Sequence, residues 1–221
     1  MVGFSFSFFM LDIVNISHPA FIFLGSYIAY ICNSQLGMDP ILASILATPA
    51  FYLLGMAIYH VYDVSFERRG DNGLRGLAFF FGILFITEVA LVLTFGVDYR
   101  LLEAPYIGIS VHLGPIDLPL RLLVPFLISL ALMGGLHLYM SRTFIGRAIQ
   151  AVAQDPLALR LMAADPSKIK RIAFGLSIAT ASLGGGILII HQPVEPSIGR
   201  DYIGRPGGRG GGTGGRARGW P

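Results

Sequence analysis

Five apolar blocks, at residues 20–36, 41–62, 76–96, 120–140 and 172–190, each hold at most one charged residue, and they constrain this chain more than any motif in it. Each is close to the length a helix needs to cross the hydrocarbon core of a bilayer, roughly 20 residues. The charge content supports that reading. Only 13% of residues are charged and 54% are hydrophobic, whereas average soluble domains carry roughly 25% charged residues. A soluble domain could not cover so much apolar surface with so few charges. The chain is therefore expected to be an all-α membrane protein, a polytopic helical bundle with about five full transmembrane helices plus a partial N-terminal one. The partial element is residues 1–14 (MVGFSFSFFMLDIV), apolar but too short to span alone. It lacks the basic n-region and small-residue cleavage site of a signal peptide, and reads as the second half of a helix or as a re-entrant piece.

Loop charges set the expected orientation, because Lys and Arg favour the cytoplasmic side. The loop 63–75 contains Arg68, Arg69 and Arg75, and the stretch 142–171 contains Arg142, Arg147, Arg160, Lys168, Lys170 and Arg171. The loop 37–40 has no basic residue and 97–119 has only Arg100. Heavy and light loops alternate, as five consecutive spans require. Loops 63–75 and 142–171 are thus expected in the cytoplasm, and 37–40, 97–119 and the segment after residue 190 outside. Residues 106–113 (YIGISVHL) alternate enough to predict a short hairpin strand.

The stretch 142–171 is the longest polar interval between apolar blocks. Residues 146–154 read as a short helix. Asp155-Pro156 and Asp165-Pro166 are helix starts, since Asp caps free N–H groups and Pro suits the first helical position. The loop therefore divides into short helices that can lie along the membrane or fit a groove on another protein. From pattern alone, an ordinary basic loop that only sets topology is the slightly favoured reading. The last block, 172–190, is rich in Gly, Ala, Ser and Thr; small residues let helix backbones approach closely, which places it inside a bundle.

Few residues suit chemistry. Glu88 is the one acid deep in a block, and intramembrane ionisable groups are costly enough to suggest a role. It either lines a path, pairs with another subunit, or is a hydrogen-bonded structural acid. Asn15 and His18 stand at a span entrance, as a helix cap and a hydrogen-bonded imidazole on the residues alone. Cys32 is the single cysteine, so no intrachain disulfide or thiolate metal site is expected. The histidines are scattered, without HExxH or Cys/His spacing, so no metal site is expected. No GxxxxGK[ST] phosphate loop occurs. The net charge of +3 says little about nucleic acid. Residues 204–221 hold nine glycines and four arginines. Nothing there can order itself by burial, and no aromatics interleave with the arginines as RNA binding would want. That segment reads as a disordered, non-native tail, leaving residues 1–203 as the transmembrane domain.

The run GRAIQAVAQDPLALRLMAADPSKIKRIAFGLSIA, residues 146–179, closely resembles the cytoplasmic loop and following span of permease subunits from branched-chain amino-acid ABC importers. The run DIVNISHPAFIFLGSYIAY, residues 12–30, is similar to that family's N-terminal pattern, and GILFITEVALVLTFG, residues 82–96, to its middle span. The resemblance covers about residues 4–203, and beside it the chain looks shortened at both ends. It implies a non-enzymatic permease subunit without a cofactor, multi-pass in the bacterial inner membrane. Its implied partners are a second permease subunit, cytoplasmic ATP-binding subunits, a periplasmic substrate-binding protein, the amino-acid substrate and the lipid bilayer, with no nucleic acid. The ATPase would dock on Gly146, Arg147, Ala148, Asp155, Pro156, Leu157 and Leu161. Asn15, His18 and Glu88 would lie near the pathway, and no residue would be catalytic. Two other classes compete. A membrane-embedded enzyme would need a second polar group at the depth of Glu88, and an ion-coupled secondary transporter would show inverted repeats; neither is evident.

Overall fold

The computed structural model describes residues 16–67, 74–96, 100, 102, 108–113, 116–154 and 165–194. These form α1 (His18–Leu36), α2 (Pro40–Ser65), α3 (Leu74–Phe95), β1 (Ser110–Leu113), β2 (Ile116–Pro119), α4 (Leu120–Arg142), α5 (Phe144–Gln154) and α6 (Pro166–His191). The architecture is all-α and polytopic, with one small hairpin at an end of the bundle. Each apolar block lies within one of the long helices or overlaps it almost entirely. Four of them, α2, α3, α4 and α6, are long and apolar enough to cross a membrane. The fifth block, α1, has 19 residues and carries polar groups at both ends; it earns its place by burial in the bundle.

Capping sets several boundaries. Asp39 accepts from the Ile41 N–H at 2.8 Å with Pro40 at the start of α2. Asp165 accepts from the Ser167 N–H at 3.0 Å with Pro166 at the start of α6. That second start carries α6 several residues beyond the apolar block, through Lys168, Lys170 and Arg171, as the Asp-Pro signal predicts. Gly37 ends α1 in the left-handed region (φ 63°), where its N–H bonds to the Asn33 carbonyl at 3.0 Å. A residue with a Cβ would be strained there. Pro49 and Pro125 sit inside α2 and α4 without ending them, which helices in a membrane bundle tolerate.

The core is built around α6. Over its apolar span 61% of residues are buried, against 6% in that of α4. Adjacent buried pairs recur every four positions: Phe174 with Ala173, Ile178 with Ser177, Ser182 with Ala181, Gly186 with Gly185, Ile190 with Ile189. A four-residue repeat makes a broad ridge, and α1 and α2 pack on it. Small residues set the approach. A Cβ on Gly25 would lie 2.6 Å from the Ser182 carbonyl oxygen, and one on Gly55 would lie 2.9 Å from the Gly175 Cα. Ser26 Oγ donates to the Gly185 carbonyl at 2.7 Å, joining α1 to α6. Interhelical bonds of this kind in membranes are worth about 0.6 kcal/mol on average. Aromatic contacts close the lower core: Tyr62 to Phe80 at 5.1 Å, Phe80 to Phe174 at 5.5 Å and Tyr59 to Phe174 at 5.7 Å. They tie α2, α3 and α6 together.

The exposed faces of α3 and α4 carry Phe81, Phe85, Ile86 and Leu93, and Phe126, Leu130, Met133 and Leu138. In water these would be a liability, whereas lipid makes them neutral. The predicted strand at 106–113 appears as β1 over its last four residues. It pairs antiparallel with β2, with Ser110 opposite Pro119 and Leu113 opposite Ile116. The second strand was not foreseen, because IDLP has no length or alternation to mark it.

Candidate functional site

The helix ends sort into two groups. At one end Arg100 and Val194 exchange both backbone bonds at 3.0 Å, and Arg121 Nε donates to the Ile190 carbonyl at 3.0 Å. Arg100 also reaches the Phe95 carbonyl and Tyr30, and its guanidinium lies 5.6 Å from the Tyr30 ring centroid. The hairpin joins the same end through Leu120 N–H to the Ile109 carbonyl at 2.9 Å. These are the ends expected outside the membrane from loop charge.

At the opposite end the last turn of α2 meets the first turns of α6. Ser167 Oγ donates to Asp63 Oδ1 at 3.2 Å, and Arg171 Nη2 lies 3.9 Å from Asp63 Oδ2. Lys170 Nζ donates to Glu67 Oε1 at 2.6 Å, and the Tyr59 hydroxyl donates to Glu67 Oε2. Arg171 Nη2 is 2.8 Å from His60 Nδ1. Asp63 is completely buried (0% exposed). The two basic loops, 63–75 and 142–171, therefore share one end of the bundle. Sequence reading treated 63–75 as loop only; charges paired across about a hundred residues carry no local signal.

The short helix expected at 146–154 is α5, which starts two residues earlier. Thr143 is both the end of α4 and the start of α5. Its N–H bonds to the Tyr139 carbonyl at 3.1 Å, and its Oγ1 accepts from the Gly146 N–H at 3.0 Å. That is an N-cap, worth about 1 kcal/mol. Thr143 was missed in the sequence, although a Thr just before an apolar-periodic run is the signal that would have found it. Gly146, Ile149 and Val152 are the buried face of α5, packed on α4 and α6. Gly146 is buried because a Cβ there would lie 2.5 Å from both the Met140 Cα and the Tyr139 carbonyl oxygen. Arg147 is exposed, Ala148 half-buried, and Phe144 80% exposed. Asp155, Pro156, Leu157 and Leu161 lie outside the described residues, as do Asn15 and the tail 204–221.

Glu88 is on the inward face of α3. Gly76, Phe80, Leu84, Glu88 and Leu91 form one buried line along that helix, and Glu88 is only 7% exposed. His18 is also buried, at the first turn of α1 beside Pro19. Gly25 meets Ser182, and Phe21 belongs to the same core as Phe174. The Leu91 end of α3 joins the core of Tyr27 and Ile189. An apolar cleft of about 170 Å³ lies between α2, α4 and α6, lined by residues including Ile41, Ser44, Ile128 and Ile187. Among the described residues no group of His, Cys, Asp and Glu could hold a metal ion.

These features define a multi-pass helical membrane protein with a capped, amphipathic helix at its basic end. Residues 1–203 match the family described as branched-chain amino acid transport system / permease component, and the chain belongs to that family. It is 25% identical over 210 residues to the high-affinity branched-chain amino acid transport system permease protein BraD of Pseudomonas aeruginosa, covering 90% of this chain and 68% of that one. It is 20% identical over 215 residues to the probable branched-chain amino acid transport permease protein LivH of Methanocaldococcus jannaschii, covering 90% of this chain and 64% of that one. The chain thus spans about two thirds of the length of these relatives. No solved structure matches it. The family is one of transport permeases and not of enzymes.

Proposed function

We propose that the chain is a membrane-spanning permease subunit of an ABC-type importer for branched-chain or related amino acids. It works in the bacterial inner membrane beside a second permease subunit, and a periplasmic protein delivers the substrate. A cytoplasmic ATPase docks on the loop helices between residues 146 and 164. The observation that carries the docking reading is the placement of α5. Its apolar face is sealed against α4 and α6 by Gly146, Ile149 and Val152, while Phe144 and Arg147 stay exposed at the end of the bundle that holds both basic loops. With its apolar face satisfied inside the bundle, α5 leaves its other face open to a partner. Arg147 contributes a charge and Phe144 an aromatic anchor, the residue types that dominate interface energetics.

Co-purification tests this directly. Arg147→Glu combined with Phe144→Asp should reduce recovery of the ATPase subunit on the order of a hundredfold, as loss of two interface residues at about 1.4 kcal/mol each would do. The membrane helices should remain intact by circular dichroism. Equal ATPase recovery with this variant, or with residues 146–164 scrambled, would contradict the docking assignment.

Glu88 is assigned to the translocation pathway. Support comes from its burial on the inward line of α3, where an acid is costly unless it serves a purpose. Glu88→Gln keeps the size and hydrogen-bonding capacity, so the protein should accumulate normally while substrate uptake falls about tenfold, the effect of losing roughly 1.4 kcal/mol. Uptake at the parental rate would remove the charge from the mechanism.

A further inference from the structure

The polar cluster between α2 and α6 lies where the docking loop ends. α6 starts at Pro166, directly after the loop, and its first turns hold Ser167, Lys170 and Arg171. All three side chains are engaged by residues of α2 or the turn that follows it: Ser167 with Asp63, Lys170 with Glu67, Arg171 with Asp63 and His60. Glu67 is held at both oxygens, by Lys170 and by Tyr59. Asp63 is completely buried, and the Lys170 and Glu67 side chains are only 16% and 15% exposed. Charges this shielded are screened little by salt and lock to one geometry, unlike a surface pair.

Further along, α6 meets α2 through backbone contact, with Gly55 against Gly175, and this is the most extensive helix contact in the structure. A displacement of the loop end therefore cannot be absorbed between the loop and α2. It must move the α2–α6 pair as a body, because packed cores switch between discrete arrangements and do not deform smoothly.

The geometry points to Asp63, Glu67, Lys170 and Arg171 as the joint that transmits movement of the docked loop to the membrane core. This inference rests on the docking reading above. The four are positioning residues: they touch neither substrate nor nucleotide. The joint has a specific consequence. Breaking it should leave the ATPase bound and hydrolysing but disconnect hydrolysis from transport.

The test uses the full chain assembled with its second permease subunit, ATPase and binding protein. It compares Glu67→Lys, Lys170→Glu and the double exchange by ATPase co-purification, ATP hydrolysis and leucine uptake. Each single variant should retain the ATPase at the parental level while uptake falls on the order of tenfold, within the 5- to 150-fold range of intersite couplings. Hydrolysis should continue but stop responding to the binding protein. The double exchange should restore both uptake and the response. Parental uptake in the single variants overturns the proposal, as does a double exchange that restores nothing. Loss of the ATPase from the single variants also overturns it, since the cluster would then build the docking surface itself. Should charge reversal prevent accumulation, Glu67→Gln must show the same split between hydrolysis and uptake, and a protein that loses both together overturns the joint. Failure of the docking reading appears separately, as equal ATPase recovery when residues 146–164 are scrambled in an otherwise parental chain.

Discussion

Gly185→Ala should accumulate poorly and unfold at a clearly lower temperature than the parent in detergent, while its neighbour Gly184→Ala should match the parent or melt slightly higher. The contrast follows from helix packing. A Cβ on Gly185 would run into the Ile22 carbonyl oxygen and lie 2.9 Å from the Ser26 nitrogen, whereas one on Gly184 would meet nothing within 4 Å. Both obstacles are backbone, so no side chain can rotate away; α1 itself must shift. That shift would also disturb the bond from Ser26 Oγ to the Gly185 carbonyl. Overpacking of this kind costs about 1–3 kcal/mol. Against it, Ala gains up to about 1 kcal/mol over Gly in a helix interior, which is why Gly184→Ala should do no harm. A thermal melt of the two purified variants by scattering or intrinsic fluorescence gives the comparison. Equal melting temperatures would show that α1 does not rest on α6 at this point.

Gly146→Val is expected to detach α5 from the bundle without unfolding the membrane helices. The added Cβ would lie 2.5 Å from the Met140 Cα and the Tyr139 carbonyl oxygen, both part of α4. The helix must lift, and the Thr143 cap on the Gly146 N–H is lost with it. Ile149 and Val152, both nearly fully buried, then come into water, at about 1.5–3 kcal/mol each. Trypsin cleavage at Arg147 should become faster in the variant, and ATPase recovery should fall. Unchanged cleavage would mean that α5 is held by something other than its approach to α4. This prediction separates two roles within the loop: Gly146 seats the helix, and Arg147 presents a charge on it.

Much of the scaffold was legible in the chain itself. The apolar blocks fell within a few residues of the helices, because length and uninterrupted hydrophobicity are local properties. Asp165-Pro166 was read as a helix start and is one. The small-residue composition of the last block placed it inside the bundle, where it lies. Thr143 could have been read and was not. Asp63 and Glu67 could not have been: their partners Ser167, Lys170 and Arg171 are more than a hundred residues away, and nothing in a polar loop says which distant charge it will meet. Glu88 falls between these cases. Its depth within a span was plain, but which way it faces depends on where α3 settles against its neighbours.

The sequence by itself determined that this chain forms a membrane bundle of helices, that its basic loops share one end, and that a new helix starts at Asp165-Pro166. Those follow from apolar length, charge placement and Asp-Pro signals, each complete within a few residues or a simple alternation. Only the tertiary structure decided that α6 is the axis on which α1 and α2 rest, that Gly146 is a contact and not a surface, and that Asp63 and Glu67 hold the first turns of α6. Those depend on which helix faces meet, and meeting faces are set by backbone approach at small residues far apart in the chain.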